Sequence, residues 1–168
     1  MGQVKTKILN AKEVQNKICR LAFEIYEGNF QEKEIALVGI EPNGAVLATL
    51  LKNEIERISP LIVHFSTIKL DKDSPLSKVN ISLKVDQISK TSVILVDDVL
   101  NSGRTMFYSF KPFLESELYK VQVAVLVDRA HKKFPISADY VGYSLGTTLQ
   151  EFVQVNLSNT EEYAVYLL

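Results

Sequence analysis

Over residues 93–105 the chain reads Val-Ile-Leu-Val-Asp-Asp-Val-Leu-Asn-Ser-Gly-Arg-Thr. Four apolar residues run straight into two adjacent carboxylates, Asn101, Ser102 and Gly103 then supply turn chemistry, and Arg104 begins a segment able to continue as a helix. The pattern is a strand, a loop of phosphate size and a helix start. At the carboxyl end of a buried parallel strand, the freed backbone N–H groups of such a loop and the helix N-terminus form a nest for an anion. Gly103 lets the backbone come close, and Ser102 and Thr105 add hydroxyls that can donate to phosphate oxygens.

Carboxylates beside an anion nest repel the anion unless they address something else. Hydroxyl pairs and a divalent cation are the natural partners of Asp97 and Asp98. Carboxylates accept hydrogen bonds from a diol, and hard oxygen ligands suit Mg²⁺, which is often shared with a ligand's own phosphates. Hydroxyls, a phosphate and a metal together describe a phosphorylated sugar. The stretch resembles the phosphoribosyl pyrophosphate (PRPP) signature of type I phosphoribosyltransferases. That resemblance implies that Asp97 and Asp98 are the catalytic acids, fixing the ribose diol and holding Mg²⁺. It also implies that Asn101, Ser102, Gly103, Arg104 and Thr105 grip the 5′-phosphate.

The 168 residues fit one domain, 1–168, able to bury a sizeable core. With 46% hydrophobic and 23% charged residues the composition speaks against extended disorder. Nineteen basic against twenty acidic residues leave a net charge of −1, so a grip on nucleic acid is not written into the charge balance, although a local basic face is still open. The lone Cys19 cannot pair within the chain, and no apolar run approaches the roughly eighteen residues of a membrane span. With no charged and apolar leader either, the expected location is the cytoplasm.

Ahead of the acidic stretch, Asn10 can cap a helix with Glu13 placed for a capping box, and Val14, Ile18, Leu21, Ala22 and Ile25 follow at helical spacing until Gly28 and Asn29. Residues 35–40 form a short continuous apolar run, the mark of a strand buried on both faces. Glu41, Pro42, Asn43 and Gly44 break it, and Val46, Leu47, Leu50, Leu51, Ile55 and Ile58 mark the inner face of a second helix. This second strand, loop and helix should open on the same edge of the sheet as the loop after Asp98.

Residues 61–70 alternate loosely, with Ile62, Phe65, Ile68 and Leu70 as expected core contacts and His64 as a structural residue. A polar turn follows over 71–78, and Val79, Ile81, Leu83 and Val85 alternate after it, so the segment reads as a β-hairpin. Beyond the acidic stretch, Met106, Phe107, Phe110, Phe113 and Leu114 make an apolar helical face interrupted by Pro112. Residues 121–127 give the most continuous strand signal. They lead into Asp128-Arg129-Ala130-His131-Lys132-Lys133-Phe134-Pro135-Ile136-Ser137-Ala138-Asp139-Tyr140-Val141-Gly142. Residues 151–157 and 163–168 read as closing strands.

The Gly-Ile, Gly and Leu-Ala pattern of residues 39–48, together with the block 128–142, is similar to the bifunctional pyrimidine operon attenuator and uracil phosphoribosyltransferase family. The likeness implies an α/β fold of the type I phosphoribosyltransferases: a five-stranded parallel sheet with helices on both faces, a flexible β-hairpin over the site and a small hood. Alternating strand and helix patterns favour the same fold class independently. By the same likeness Glu41, Pro42, Asn43 and Gly44 hold pyrophosphate, Asp128, Arg129 and Ile136 belong to the base and hood region, and a basic residue at the hairpin is answered by Lys69 or Lys72. Asp128 and Arg129 also read as an ordinary ion pair at a strand end.

The chain departs from the family at Asn43, where a basic residue is usual, and Glu41 adds a negative charge. Two functions remain open. One is PRPP-dependent transfer to a nucleobase, uracil by family likeness. The other is a weakly catalytic or non-catalytic regulator that senses a nucleotide and binds RNA, for which Arg129, His131, Lys132 and Lys133 are the evident basic cluster. A neutral Asn101 stands where some purine-using relatives have an acid, which argues against a purine enzyme. A homo-oligomer, a dimer, is the expected assembly.

Overall fold

Residues 35–40, 92–97 and 123–127 are buried without interruption, as strands covered on both faces must be. They are the centre of a six-stranded sheet in the computed structural model, which describes residues 5–71, 79–82, 88–146, 148 and 151–168. The elements are β1 (Thr6–Leu9), α1 (Ala11–Glu27), β2 (Glu34–Ile40), α2 (Asn43–Ile58), β3 (Ile62–Lys69), β4 (Asn80–Ile81), β5 (Ser92–Leu100), α3 (Arg104–Ser109), β6 (Lys120–Asp128), β7 (Tyr140–Ser144), β8 (Val153–Asn156) and β9 (Ala164–Leu167). The main sheet runs β4-β3-β2-β5-β6-β7. Its five strands from β3 to β7 are parallel, and β4 adds a short antiparallel edge to β3. The expected parallel sheet is therefore present.

One face of the sheet packs against α1 and α2, whose Val14, Ile18, Leu21, Leu47, Leu51 and Ile55 fill the larger core. The other face is covered more thinly, by Met106 of α3 and Phe113 of the following 3-10 turn. The small hood is a separate sheet of order β1-β9-β8. Its first strand, β1, was not foreseen. The capping box of α1 forms as expected, Asn10 Oδ1 accepting from the Glu13 amide at 3.0 Å and Glu13 Oε2 from the Asn10 amide at 2.8 Å.

Several expectations need correction. The apolar helical face over 106–114 is interrupted as Pro112 leads one to expect, α3 ending at Ser109 and the chain tightening into a 3-10 turn after Phe110. Phe107 and Leu114 face outward, Leu114 being 79% exposed, and are not part of a buried face. Ile62 is 59% exposed and no core contact, since β4 pairs only with the far end of β3 and leaves its start as an open edge. Val46 likewise faces outward from α2. The expected hairpin is present in part, since β3 pairs antiparallel with β4 through Ile68 opposite Ile81 and Lys69 opposite Asn80, while its first arm is also a full member of the parallel sheet. The turn residues 72–78, with Lys72, and the positions Leu83 and Val85 lie outside the described residues.

Asn29 ties these layers together below the sheet. It is 2% exposed, accepts from Ser92 Oγ at 2.7 Å, and donates from Nδ2 to the Ile25 carbonyl at 2.8 Å and to Gln122 Oε1 at 3.2 Å, with the Tyr140 hydroxyl at 3.4 Å. Replacing Asn29 by Ala strands these buried groups, and a loss of about 1–3 kcal/mol is expected. A lowered urea midpoint with an unchanged slope would report it. Burial raises the Tyr140 phenol above its ordinary value. Its contribution is therefore full below about pH 10, where the unfolded phenol ionises, and falls as pH rises from there through the higher folded value. In Tyr140→Phe that part of the alkaline loss should vanish.

Candidate functional site

In the strand order, the chain leaves β2 toward β3 on one side and leaves β5 toward β6 on the other. The loops after β2 and β5 therefore part at their shared edge and open a crevice, the place where doubly wound sheets bind ligands. Three segments meet there: residues 41–44, the end of β5 with the loop 101–103, and the long connection from β6 to β7.

At the first segment the Glu41–Pro42 peptide is cis. The Glu41 amide donates to the Ile68 carbonyl at 2.9 Å, and Glu41 Oε1 accepts from Thr67 Oγ1 at 2.9 Å, so the carboxylate is held against β3. Asn43 is already the first residue of α2. Its Nδ2 donates to Asp98 Oδ2 at 2.8 Å, joining the expected pyrophosphate loop to the acid pair. Gly44 lies directly on β5: a Cβ there would stand 2.5 Å from the Val96 carbonyl oxygen and 3.0 Å from Asp97 Cα. Only a residue without a side chain permits that approach.

Both acids lie inside β5, which runs on to Leu100. Successive strand residues point to opposite sides, and the acids divide accordingly. Asp97 is 7% exposed and lines a cleft of about 110 Å³ with Asn101, Ser102, Gly103 and Thr105, whereas half-buried Asp98 faces Asn43. Asp97 Oδ1 accepts from the Asp98 amide and Asp98 Oδ1 from the Val99 amide, each at 2.9 Å. Gly103 adopts φ 83°, in the left-handed region, and starts α3. Ser102 Oγ accepts from the Arg104 amide at 3.3 Å, and the Ser102 carbonyl accepts from the Lys133 and Phe134 amides at 2.9 and 3.1 Å. The 133–136 segment thus packs on the loop, with Ile136 against Gly103.

The block after β6 corrects the sequence reading. Asp128 forms its salt bridge with Lys132, not with its neighbour. Arg129 is 4% exposed and sends its guanidinium to Asn101 Oδ1 at 3.0 Å and to the carbonyls of Thr148 and Glu151 at 3.3 and 2.5 Å. It is a buried pin, and the surface cluster of basic residues loses it. The Thr148 amide reaches Glu151 Oε2 at 2.6 Å and is the first cause of a Glu151 carboxyl held below its ordinary range. A wider cleft of about 600 Å³ beside this pin is lined by Asn101, Arg104, His131, Phe134 and Phe152. Thr67, Phe134 and Phe152 had gone unnoticed. The aromatic spacing carries no periodic signal, and Thr67 is tied to the site by the contact of its hydroxyl with Glu41.

The geometry offers an anion nest, two carboxylates and a second loop fixed to one of them. Gly44→Ala is expected to push α2 off β5 and to destabilise the protein by about 1–3 kcal/mol, as overpacking does. Urea unfolding checks this; an unchanged midpoint would mean that the loop is free to shift.

Comparison with known proteins agrees with this architecture. The family model of the phosphoribosyl transferase domain matches residues 5–156. The "Bifunctional protein PyrR" of Clostridium acetobutylicum is 35% identical, over 95% of this chain and 94% of the relative, and that of Staphylococcus saprophyticus is 34% identical, over 92% and 93%. Among solved structures, a hypoxanthine-guanine phosphoribosyltransferase of Bacillus anthracis superposes with a TM-score of 0.75 at 21% identity, covering 97% of this chain and 98% of that one. The hypoxanthine phosphoribosyltransferase of Trypanosoma cruzi bound to IMP gives 0.77 at 17% identity, covering 100% and 86%. The chain belongs to the phosphoribosyltransferase family, with the type I fold and a close kinship to PyrR.

Proposed function

We propose that the chain, acting as one domain over residues 1–168, transfers a ribosyl 5-phosphate group from PRPP to a nucleobase, uracil, and releases pyrophosphate. One observation carries the reading: the acid pair of β5, the loop 101–105 and the start of α2 converge on a single crevice at the switch point of the sheet. A donor with a 5′-phosphate, a ribose diol and a pyrophosphate needs three such neighbours. In this reading Asn101, Ser102, Gly103, Arg104 and Thr105 take the 5′-phosphate, and Asp97 and Asp98 take the ribose hydroxyls. Residues Glu41, Pro42, Asn43 and Gly44 face the pyrophosphate, while Asp128, Arg129 and Ile136 frame the base side.

In the reaction the bond from the ribose anomeric carbon to pyrophosphate breaks as the bond to the base nitrogen forms, through an oxocarbenium-like transition state, and the proton of that nitrogen is given up to the departing pyrophosphate or to water. The protein holds donor and base in line and excludes water. Mg²⁺, when bound, offsets the charge that develops on the leaving pyrophosphate. Asp97 and Asp98 fit such an ion, because Mg²⁺ is usually held by one or two carboxylates plus substrate phosphates. Asn43 donates to Asp98 Oδ2 without placing a positive charge beside it. Among the described residues no group of three or more His, Cys, Asp or Glu side chains is placed to hold a metal alone.

A second reading is favoured by the same loop. The Asn43 amide is engaged by Asp98 and the Glu41 carboxylate by Thr67, so the 41–44 loop carries no cationic side chain for pyrophosphate. A weakly catalytic or non-catalytic nucleotide sensor that regulates pyrimidine gene expression and binds RNA would tolerate that loss. The burial of Arg129 and the Asp128–Lys132 pair thin the positive surface such a partner needs. A cytoplasmic homodimer is part of either reading. No helix among the described residues is long and apolar enough to cross a membrane.

Pyrophosphate release from PRPP and Mg²⁺ with each nucleobase in turn tests the reading. Asn43→Arg separates its two forms. A charged hydrogen bond to the leaving group is worth roughly 1.5–3 kcal/mol, so an enzyme should gain about ten- to a hundredfold in turnover if all of it is expressed in the transition state. A sensor would bind pyrophosphate more tightly and still not turn over. Brisk wild-type activity unaffected by the change would place the pyrophosphate elsewhere.

A further inference from the structure

The two acids of β5 are held by different means. Asp97 is 7% exposed and packs under Gly44, where a Cβ would stand 3.1 Å from Asp97 Oδ1. Asp98 is only half-buried. Among the described residues two donors reach its carboxylate, the Val99 amide on Oδ1 at 2.9 Å and Asn43 Nδ2 on Oδ2 at 2.8 Å. The last torsion of an aspartate is broad and roughly two-fold, so nothing intrinsic sets the plane of the carboxylate. One donor on each oxygen does set it. The Val99 amide belongs to the same strand and moves with Asp98, which leaves Asn43 as the fixed point supplied from outside β5.

Asn43 is firmly placed for that task. It is the first residue of α2, and the start of this helix is wedged against both strands: a Cβ on Gly44 would stand 2.5 Å from the Val96 carbonyl oxygen, and one on Gly39 2.5 Å from Ala45 Cα. Leu47, Ala48 and Leu51 anchor the next turns with no exposed surface. The donor is therefore aimed at Asp98 before any ligand arrives. An ionised carboxylate accepts and cannot donate, so the nitrogen of the Asn43 amide faces it. Each carboxylate oxygen has room for two hydrogen bonds, and the Asn43 bond leaves acceptor sites on Asp98 unused.

The inference deepens the reading above and rests on its assignment of the ribose hydroxyls to Asp97 and Asp98. We infer that Asn43 is a positioning residue: its side chain sets the plane of the Asp98 carboxylate and thereby gives the acid pair its grip on the ribose diol, while the backbone of the same loop faces the pyrophosphate. A carboxylate free to turn has to be ordered at the expense of binding, and one already held does not. For carboxylates that ligate metals, loss of such a supporting bond costs roughly ten- to a hundredfold, and a comparable loss is expected on the diol. The loss falls on ligands that carry the diol and spares those that lack it.

Calorimetric titration of the full chain in the presence of Mg²⁺ tests this by comparing ribose 5-phosphate with 2-deoxyribose 5-phosphate, which keeps the phosphate and lacks the diol. The wild type should prefer ribose 5-phosphate by about tenfold or more, and Asn43→Ala should bring the two within about threefold. Asn43→Asp keeps the shape, removes the donor and sets a like charge beside Asp98, and should narrow the gap at least as far. General damage to the fold lowers both affinities alike and leaves their ratio unchanged, so the ratio separates positioning from stability. If one variant does not fold, the other decides. A ratio unchanged in the folded variants would overturn the inference alone, as would a larger preference in Asn43→Ala, for Asn43 would then be competing with the sugar for Asp98. A wild type that binds both sugars equally would overturn the ribose reading of the acid pair, and one that binds neither at millimolar concentration would overturn the phosphate-loop reading, each taking the inference with it.

Discussion

The parallel pairing of β2 with β5, in register from Ile35 opposite Ser92 to Gly39 opposite Val96, is the constraint on which the cleft depends. Parallel neighbours end on the same edge, so their following loops must rise side by side. Because the chain then departs in opposite directions, the two loops cannot close over each other. The contact of Gly44 with the Val96 carbonyl sets how near they stand. It brings the amino end of a sixteen-residue helix, α2, beside two carboxylates, with the positive end of the helix nearest the negative charges.

Two neutral amides govern how charge is presented in that cleft. Asn43 binds Asp98 and Asn101 binds Arg129, so each amide orients a charged group without cancelling it. A lysine or arginine at position 43 would set a full positive charge beside Asp98, where the asparagine supplies only a neutral donor. An aspartate at position 101 would likewise pair with Arg129. The charged groups of the cleft are thus oriented by neutral dipoles.

Much of this was legible in the sequence, for identifiable reasons. Unbroken apolar runs declare strands that helices cover on both sides, and the Asn10 and Glu13 spacing declares a helix start. A strand entering Asp97-Asp98 and a glycine turn declares the phosphate-sized loop. Contacts that close over long separations were hidden. Arg129 reads as surface charge because its partners at Thr148 and Glu151 are main-chain carbonyls, which have no signature in residue type. The Asn43 contact with Asp98 joins residues on two different strand–helix units, and only the β2–β5 register reveals it. β1, four residues long, is too short to show a period and becomes a strand only by pairing with β9.

That last pairing has a bearing on how the molecule is made. Thr6 stands opposite Leu167 and Lys7 opposite Tyr166, so the hood is stitched from the two ends of the sequence. During synthesis the main sheet can assemble as its strands emerge, but β1 must wait, unpaired, until β9 has left the ribosome. Such distant contacts are slow to form because the intervening chain must first be ordered. The Arg129 pin, which anchors to residues 148 and 151 just ahead of β8, is completed at the same late stage. The lining of the wider cleft is therefore completed last, after the scaffold that carries the acids is already in place.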